Sequence, residues 1–270
     1  MTDFSQKTAV ITGAGGAIGG QIAFALARAG SNVAIWDISP EAAERRADEI
    51  NQEAGGQALA VACDAVSKSS VAAALQSTMA QFGTVDFLIN GAGGGDRHTT
   101  TSDDLSFFDI DPDQTRRVMD LNYLSAVIPS QAVGKLFAEK ESGAIVNITA
   151  VGGGQPLSRA LAYSNGKAAA NSFTLWLAVH MAQTYSPKIR VNAIAPGFMI
   201  TDQNRFLLID EQSGKLTPRG ETILQNVPMA RFGDPHEVAG CVLWLLSDQA
   251  TFVTGAVVPI DGGFTAFDGV

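Results

Sequence analysis

The sequence predicts a doubly wound α/β fold, a parallel seven-stranded sheet with helices on both faces. Three observations lead there. Strand-like and helix-like segments alternate from the start of the chain. The strand segments are apolar on both faces, as strands covered on both sides tend to be. A glycine-rich turn joins the first strand to the first helix.

The elements follow in order. "TAVIT" (8–12) is a β-branched run, and residues 19–30 have helical spacing that stops at Gly30. "NVAIWD" (32–37) is a second strand. Ser39 is placed to cap the next helix, with Pro40 at its first position. Residues 58–64 read as a third strand, 67–83 as a third helix and 85–91 as a fourth strand. A long helix is expected over 112–140, a strand over 143–149, a helix over 162–186 and a strand over 189–196. After a less regular stretch, residues 235–248 read as a helix and 256–263 as the seventh strand. With no linker, repeat or low-complexity segment, residues 1–270 read as a single domain.

Composition narrows the function. Hydrophobic residues make up 46% and charged residues 17%, which suits a compact globule. A formal net charge of −9 argues against nucleic acid or an anionic membrane as partner. Cys63 and Cys241 sit in apolar runs and read as buried free thiols; a disulfide framework or a metal site needs more partners at tighter spacing. The N-terminus has no basic-then-apolar leader and no apolar run is of bilayer length, so a cytoplasmic location is expected.

The turn "VITGAGGAIGG" suits a dinucleotide. Gly13, Gly16, Ala17, Ile18 and Gly19 would bring backbone close to a pyrophosphate at the N-terminus of the first helix. Asp37 ends the second strand, 24 residues after Gly13, where it can accept hydrogen bonds from ribose hydroxyls and repel a 2′-phosphate. No Lys or Arg lies in the turn, so NAD is favoured over NADP. Asp64, followed by Ala65, reads either as an adenine contact or as a helix-capping partner.

Several motifs in chain order resemble the short-chain dehydrogenase/reductase family, and the resemblance spans essentially the whole chain. "TGAGGAIG" (12–19) is similar to the family's TGxxxGxG, with Ala17 in place of the middle glycine. "NGAG" (Asn90, Gly91, Ala92, Gly93) is similar to its NNAG, and Asn122 matches the asparagine of its fourth helix. Tyr163 and Lys167 match its catalytic pair, and Pro196, Gly197 and Thr201 its PG motif. The resemblance implies a Rossmann fold, hydride exchange between an alcohol and a carbonyl, and a homotetramer. Tyr163 and Lys167, four apart, share one helix face. The Lys167 ammonium is expected to lower the tyrosine's ordinary pKa of about 10 and to hold the nicotinamide ribose. Asn122 is expected to hold a water that completes a proton relay, or else to make a local helix bond. Asn90 is grouped with the cofactor residues, though its expected task is tying strands together behind the cofactor.

One departure stands out. The family's carbonyl-orienting serine lies 13 residues before the tyrosine, and residue 150 here is alanine. An alanine methyl donates no hydrogen bond. Three readings stay open. Thr149 substitutes, given a twist at the strand end; Gln155, Ser158 or a water orients the substrate; or the protein binds NAD with weak turnover, as a sensor or interaction subunit.

Polar loops at about 94–111 and 198–229 follow the ends of strands, where α/β sheets bind ligands. His98, Arg159, Asn204, Arg205, Lys215 and Arg219 in and around them suit a polar, carboxylate-bearing substrate, with Gln155, His98 and Arg205 the chosen contacts. The wording of both loops resembles the D-mannonate oxidoreductase (fructuronate reductase-like) subgroup, which implies a sugar acid and its keto form. A 3-oxoacyl or generic secondary-alcohol reductase is the alternative.

Overall fold

A computed structural model describes residues 3–54, 57–201 and 204–269. The seven strands are β1 (Thr8–Thr12), β2 (Asn32–Asp37), β3 (Ala58–Ala62), β4 (Phe87–Asn90), β5 (Gly143–Ile148), β6 (Ile189–Pro196) and β7 (Val257–Ile260). They form one sheet in the order β3-β2-β1-β4-β5-β6-β7, and every pair is parallel. Strand order reverses between β1 and β4. In α/β sheets, a reversal of this kind marks the place where ligands bind, outside the C-terminal ends of the strands.

Helices α1 (Ala17–Arg28), α2 (Pro40–Glu53) and α8 (Ala239–Leu246) cover one face of the sheet. Helices α3 (Lys68–Phe82), α4 (Pro112–Glu139) and α5 (Leu161–Thr184) cover the other. The division follows from the pleat. Ala9 and Ile11 of β1 pack toward α1, while Val10 packs toward α4 and α5. Strands buried on both sides are mostly apolar, and the buried polar side chains Asn90, Asn147, Arg190 and Asn192 each find hydrogen-bond partners.

Local chemistry sets the boundaries. Ser39 Oγ accepts from Ala42 N at 3.2 Å with Pro40 at the first position of α2, as the sequence predicts. Gly30, past the end of α1, has φ +91°, which suits glycine. The predicted helix over 235–248 divides: Pro235–Val238 is a 3-10 turn capped by Asp234 and Glu237, and α8 follows. The less regular stretch holds two short helices, α6 (Arg205–Leu208) and α7 (Pro218–Gln225). Positions 202 and 203 of the second predicted loop lie outside the described residues. No helix among the described residues is long and apolar enough to cross a membrane.

Candidate active site

The glycine turn closes against β4 and β2. Gly13 has φ +67°, and a side chain there would meet Ala92 backbone at 2.9 Å. A Cβ on Gly19 would lie 2.6 Å from Gly13 O, so α1 starts where only glycine fits. Gly16 caps α1, Ala17 and Ile18 open it, and its first turn carries no acidic residue. Its amide end is therefore free to receive an anion.

Asp37 stands over this turn. Its carboxylate accepts from Gly15 N at 2.9 Å and from Ser39 N at 3.0 Å. A Cβ at residue 15 would lie 2.7 Å from the Ala42 Cβ and 2.9 Å from Asp37 Oδ2. No basic side chain fits at that point of the turn. Asp64 Oδ1 accepts from Val66 N at 3.0 Å, and Ala65 is buried. Gly91 N and Ala92 N both donate to Thr12 Oγ1, at 3.0 and 3.1 Å, which ties the end of β1 to the turn after β4. Thr12 is a site-building residue that sequence reasoning passed over, although it opens the glycine motif.

Asn90 faces the interior. Its Nδ2 donates to Ser130 Oγ at 3.0 Å and Asn147 Oδ1 at 2.8 Å, and Asn147 donates in turn to Thr174 Oγ1. Its side chain thus stitches β4 and β5 to α4 and α5. Asn122 is also committed to backbone. Its Nδ2 donates to Gly94 O at 2.7 Å and Val118 O at 2.8 Å, and its Oδ1 accepts from Gly94 N at 3.2 Å. The side-chain amide clamps the loop after β4, and the bond to Val118 is the local helix bond.

Lys167 is buried on α5, and its Nζ donates to Ile148 O at 2.8 Å. The ammonium lies 5.9 Å from the centre of the Tyr163 ring. Burial pushes Lys167 down to about 8 and Tyr163 up to about 12. The sequence reading expected the lysine to lower the tyrosine. The cause of the upward shift is desolvation: a charged phenolate is penalised by the same packing that positions it. Gly93 bounds this centre: a Cβ there would lie 2.9 Å from Lys167 Nζ and 2.8 Å from Asn122 Oδ1. Gly153 packs on α5 itself, where a Cβ would meet the Lys167 carbonyl at 2.7 Å.

Ala150 is buried and extended at the end of β5. Thr149 does not replace the absent serine. Its Oγ1 donates to Ile194 O at 3.0 Å, across the sheet edge toward β6. Neighbouring residues of an extended strand point to opposite sides, and β5 keeps that geometry to its end.

Gln155, His98 and Arg205 are all exposed. Arg97 Nε donates to His98 Nε2 at 3.3 Å, and Asp96 Oδ1 accepts from His98 N. Arg205 opens α6. Asn204 is spent within its own loop, bonding Thr201 N and Met199 O. A Thr100–Ala160 bridge, with Thr101 N donating to Arg159 O at 3.0 Å, joins the first polar loop to the start of α5. At the other edge, Gly197 N donates to Ile260 O at 2.9 Å, which sets Pro196 and Gly197 beside the end of β7.

A family model described as enoyl-(acyl carrier protein) reductase matches residues 13–265. The chain belongs to the short-chain dehydrogenase/reductase family. It is 42% identical over 273 residues to the uncharacterised oxidoreductase UxuB of Bacillus subtilis, covering 98% of this chain and 96% of the relative. It is 34% identical to the 7alpha-hydroxysteroid dehydrogenase of Escherichia coli K12, over 95% and 93% of the two chains. A Haemophilus influenza structure with bound NAD, provisionally described as a D-mannonate oxidoreductase, is 40% identical. It superposes with a TM-score of 0.92 over 99% of this chain and 98% of that one. This family member is an NAD-dependent oxidoreductase. Its own residues fit that cofactor: the glycine turn leaves no room for side chains, the start of α1 is free of acids, and Asp37 presents a carboxylate beside it.

Proposed function

We propose that this family member interconverts an alcohol and a ketone on a polyhydroxylated substrate, a sugar acid of the D-mannonate/D-fructuronate type. The observation that carries this reading is the polar and cationic character of the loops that follow β4 and β6 and of the start of α5, with Arg97, His98, Arg159, Arg205, Lys215 and Arg219 all exposed. An arginine fork pairs with a carboxylate, and apolar loops would suit a steroid or acyl chain better. The 40%-identical D-mannonate relative agrees in substrate class.

Tyr163 is the proton carrier. A phenol held near 12 stays protonated at neutral pH, so it gives its proton to the oxygen of a ketone as that oxygen gains charge. In the oxidative direction the transfer runs in reverse, from the alcohol to the phenolate form of Tyr163. Lys167 steadies the phenolate while it exists and binds ribose hydroxyls. Asn122 holds Gly94, and through it the loop that roofs Lys167. NAD supplies the hydride acceptor or donor when bound. Gly13, Gly16, Ala17, Ile18, Gly19, Asp37, Asp64, Ala65, Gly91, Ala92, Pro196, Gly197 and Thr201 line its path.

The same reading takes residues 1–270 as one domain and the protein as cytoplasmic, with Cys63 and Cys241 free. It also takes the protein as a homotetramer, supported by exposed Leu121, Leu175, Trp176 and Val179 on α4 and α5. Sedimentation at equilibrium checks the last point. NAD(H)-coupled absorbance on a sugar-acid panel tests the activity, with Tyr163→Phe as control. Turnover on 3-oxoacyl thioesters but on no sugar acid overturns the substrate class. Tight NAD binding with no turnover on any substrate, unchanged in Tyr163→Phe, overturns the enzymatic role.

A further inference from the structure

An oxygen that passes from carbonyl to alkoxide needs hydrogen-bond donors aimed at it, and losing one costs about 10²–10³ in rate. Tyr163 is one such donor. The neighbouring wall is Ala150. Two residues before it, Ile148 O holds Lys167 Nζ, and three residues after it, Gly153 lies against the Lys167 backbone. Ala150 is thereby pinned beside the Tyr163 turn of α5, and it presents a methyl group.

The surrounding polar side chains are committed elsewhere. Thr149 Oγ1 donates to Ile194 O, and Ser164 Oγ accepts from Leu157 N at 3.2 Å, which turns it to the loop before α5. Ser125 Oγ donates to Ala92 O at 3.0 Å, and Asn122 is saturated by Gly94 and Val118. Gln155 and Ser158 are exposed on the loop beyond. Among these side chains, the partly exposed Tyr163 is the one left to serve the reacting oxygen.

We propose that the substrate supplies the second donor itself, through a hydroxyl on the carbon next to the reacting one. The inference rests on the polyhydroxylated-substrate reading and names the hydroxyl that such a substrate must carry. A vicinal hydroxyl reaches its neighbour's oxygen within one molecule, at little entropic cost. The small Ala150 methyl leaves room for it where a serine side chain would compete. That hydroxyl gives up neither its proton nor an electron pair. It donates a hydrogen bond to the reacting oxygen and is unchanged after turnover. Ala150 is then a specificity-determining position: it selects α-hydroxy ketones and vicinal diols over plain ketones and alcohols.

The test compares NADH-linked reduction of acetoin with that of 2-butanone, in the wild type and in Ala150→Ser. The wild type is expected to favour acetoin by about 10²-fold in kcat/KM. Ala150→Ser is expected to raise 2-butanone turnover at least tenfold and to shrink the preference accordingly, a change in ratio that a merely structural role would not produce. If neither small ketone is reduced, the same ratio is read between the best sugar-acid ketone and its analogue lacking the adjacent hydroxyl. A wild-type preference below threefold, or a ratio unchanged by Ala150→Ser, overturns the proposal. Turnover of sugar acids with no such preference removes this inference and leaves the proposed function standing. Acyl-thioester turnover without sugar-acid turnover removes the proposed function, while the ketone ratio still reports on Ala150.

Discussion

Lys167→Met exchanges a buried ammonium for an uncharged chain of similar length. Lys167 is only 5% exposed, and burial lowers its pKa from 10.5 to about 8. The folded protein therefore binds fewer protons than the unfolded chain between about pH 8 and 10.5, and its stability rises with pH through that window. Below about pH 8 the full cost applies, about 3 kcal/mol. Methionine removes that cost together with the charge-assisted bond to Ile148 O, worth about 1.5–3 kcal/mol. The variant should be at least as stable as wild type at pH 7, by up to about 1.5 kcal/mol, or up to roughly 3–6 °C in Tm. It should also lose turnover. Urea unfolding of both proteins at pH 7 and pH 10 reads the difference directly, since other titrations cancel between them. The advantage should shrink toward zero at pH 10. A variant less stable at pH 7, or a difference that does not change with pH, would refute the claim that a desolvated ammonium sits beside Tyr163.

Four further outcomes are expected. The kcat/KM for NADH in ketone reduction, which reports the free enzyme, should fall as pH rises through about 8, because the cationic Lys167 is lost there; a flat profile to pH 9.5 contradicts this. Asp37→Ala should weaken NAD at least tenfold by fluorescence titration and narrow the gap to NADP, since it removes the carboxylate over the glycine turn. Gly153→Ala should cost about 1–3 kcal/mol in urea unfolding and most of the activity, because its Cβ would press on the rigid Lys167 backbone at 2.7 Å. Arg190→Met should lower stability by about 2–4 kcal/mol in the same assay with the cofactor site intact. Arg190 is buried and donates to the carbonyls of Leu245, Leu246 and Ser247 at the end of α8.

Much of the fold was legible because its signals are local. Short runs apolar on both faces marked the strands, and Ser39–Pro40 marked the start of α2. The short helices α6 and α7 were missed because four and eight residues carry too few turns to show a helical period. The split of the 235–248 segment was missed for a similar reason. Its 3-10 turn is set by the Asp234–Glu237 capping box, and the apolar residues run on through it.

The sequence by itself determined the sheet, the glycine turn, the acid at Asp37 and the pairing of Tyr163 with Lys167. These follow from residue type and spacing along one strand or one helix. The tertiary structure decided where each hydroxyl and amide spends its hydrogen bonds. It turned Thr149 toward β6, clamped Asn122 on Gly94 and buried Asn90 between sheet and helices. It also reversed the expected direction for Tyr163, because desolvation depends on everything packed around a group and not on the one charge four residues away. Ala150 was readable as a missing donor from spacing alone. That the neighbouring buried hydroxyls are already engaged could be learned only once β5, β6 and α5 were brought together.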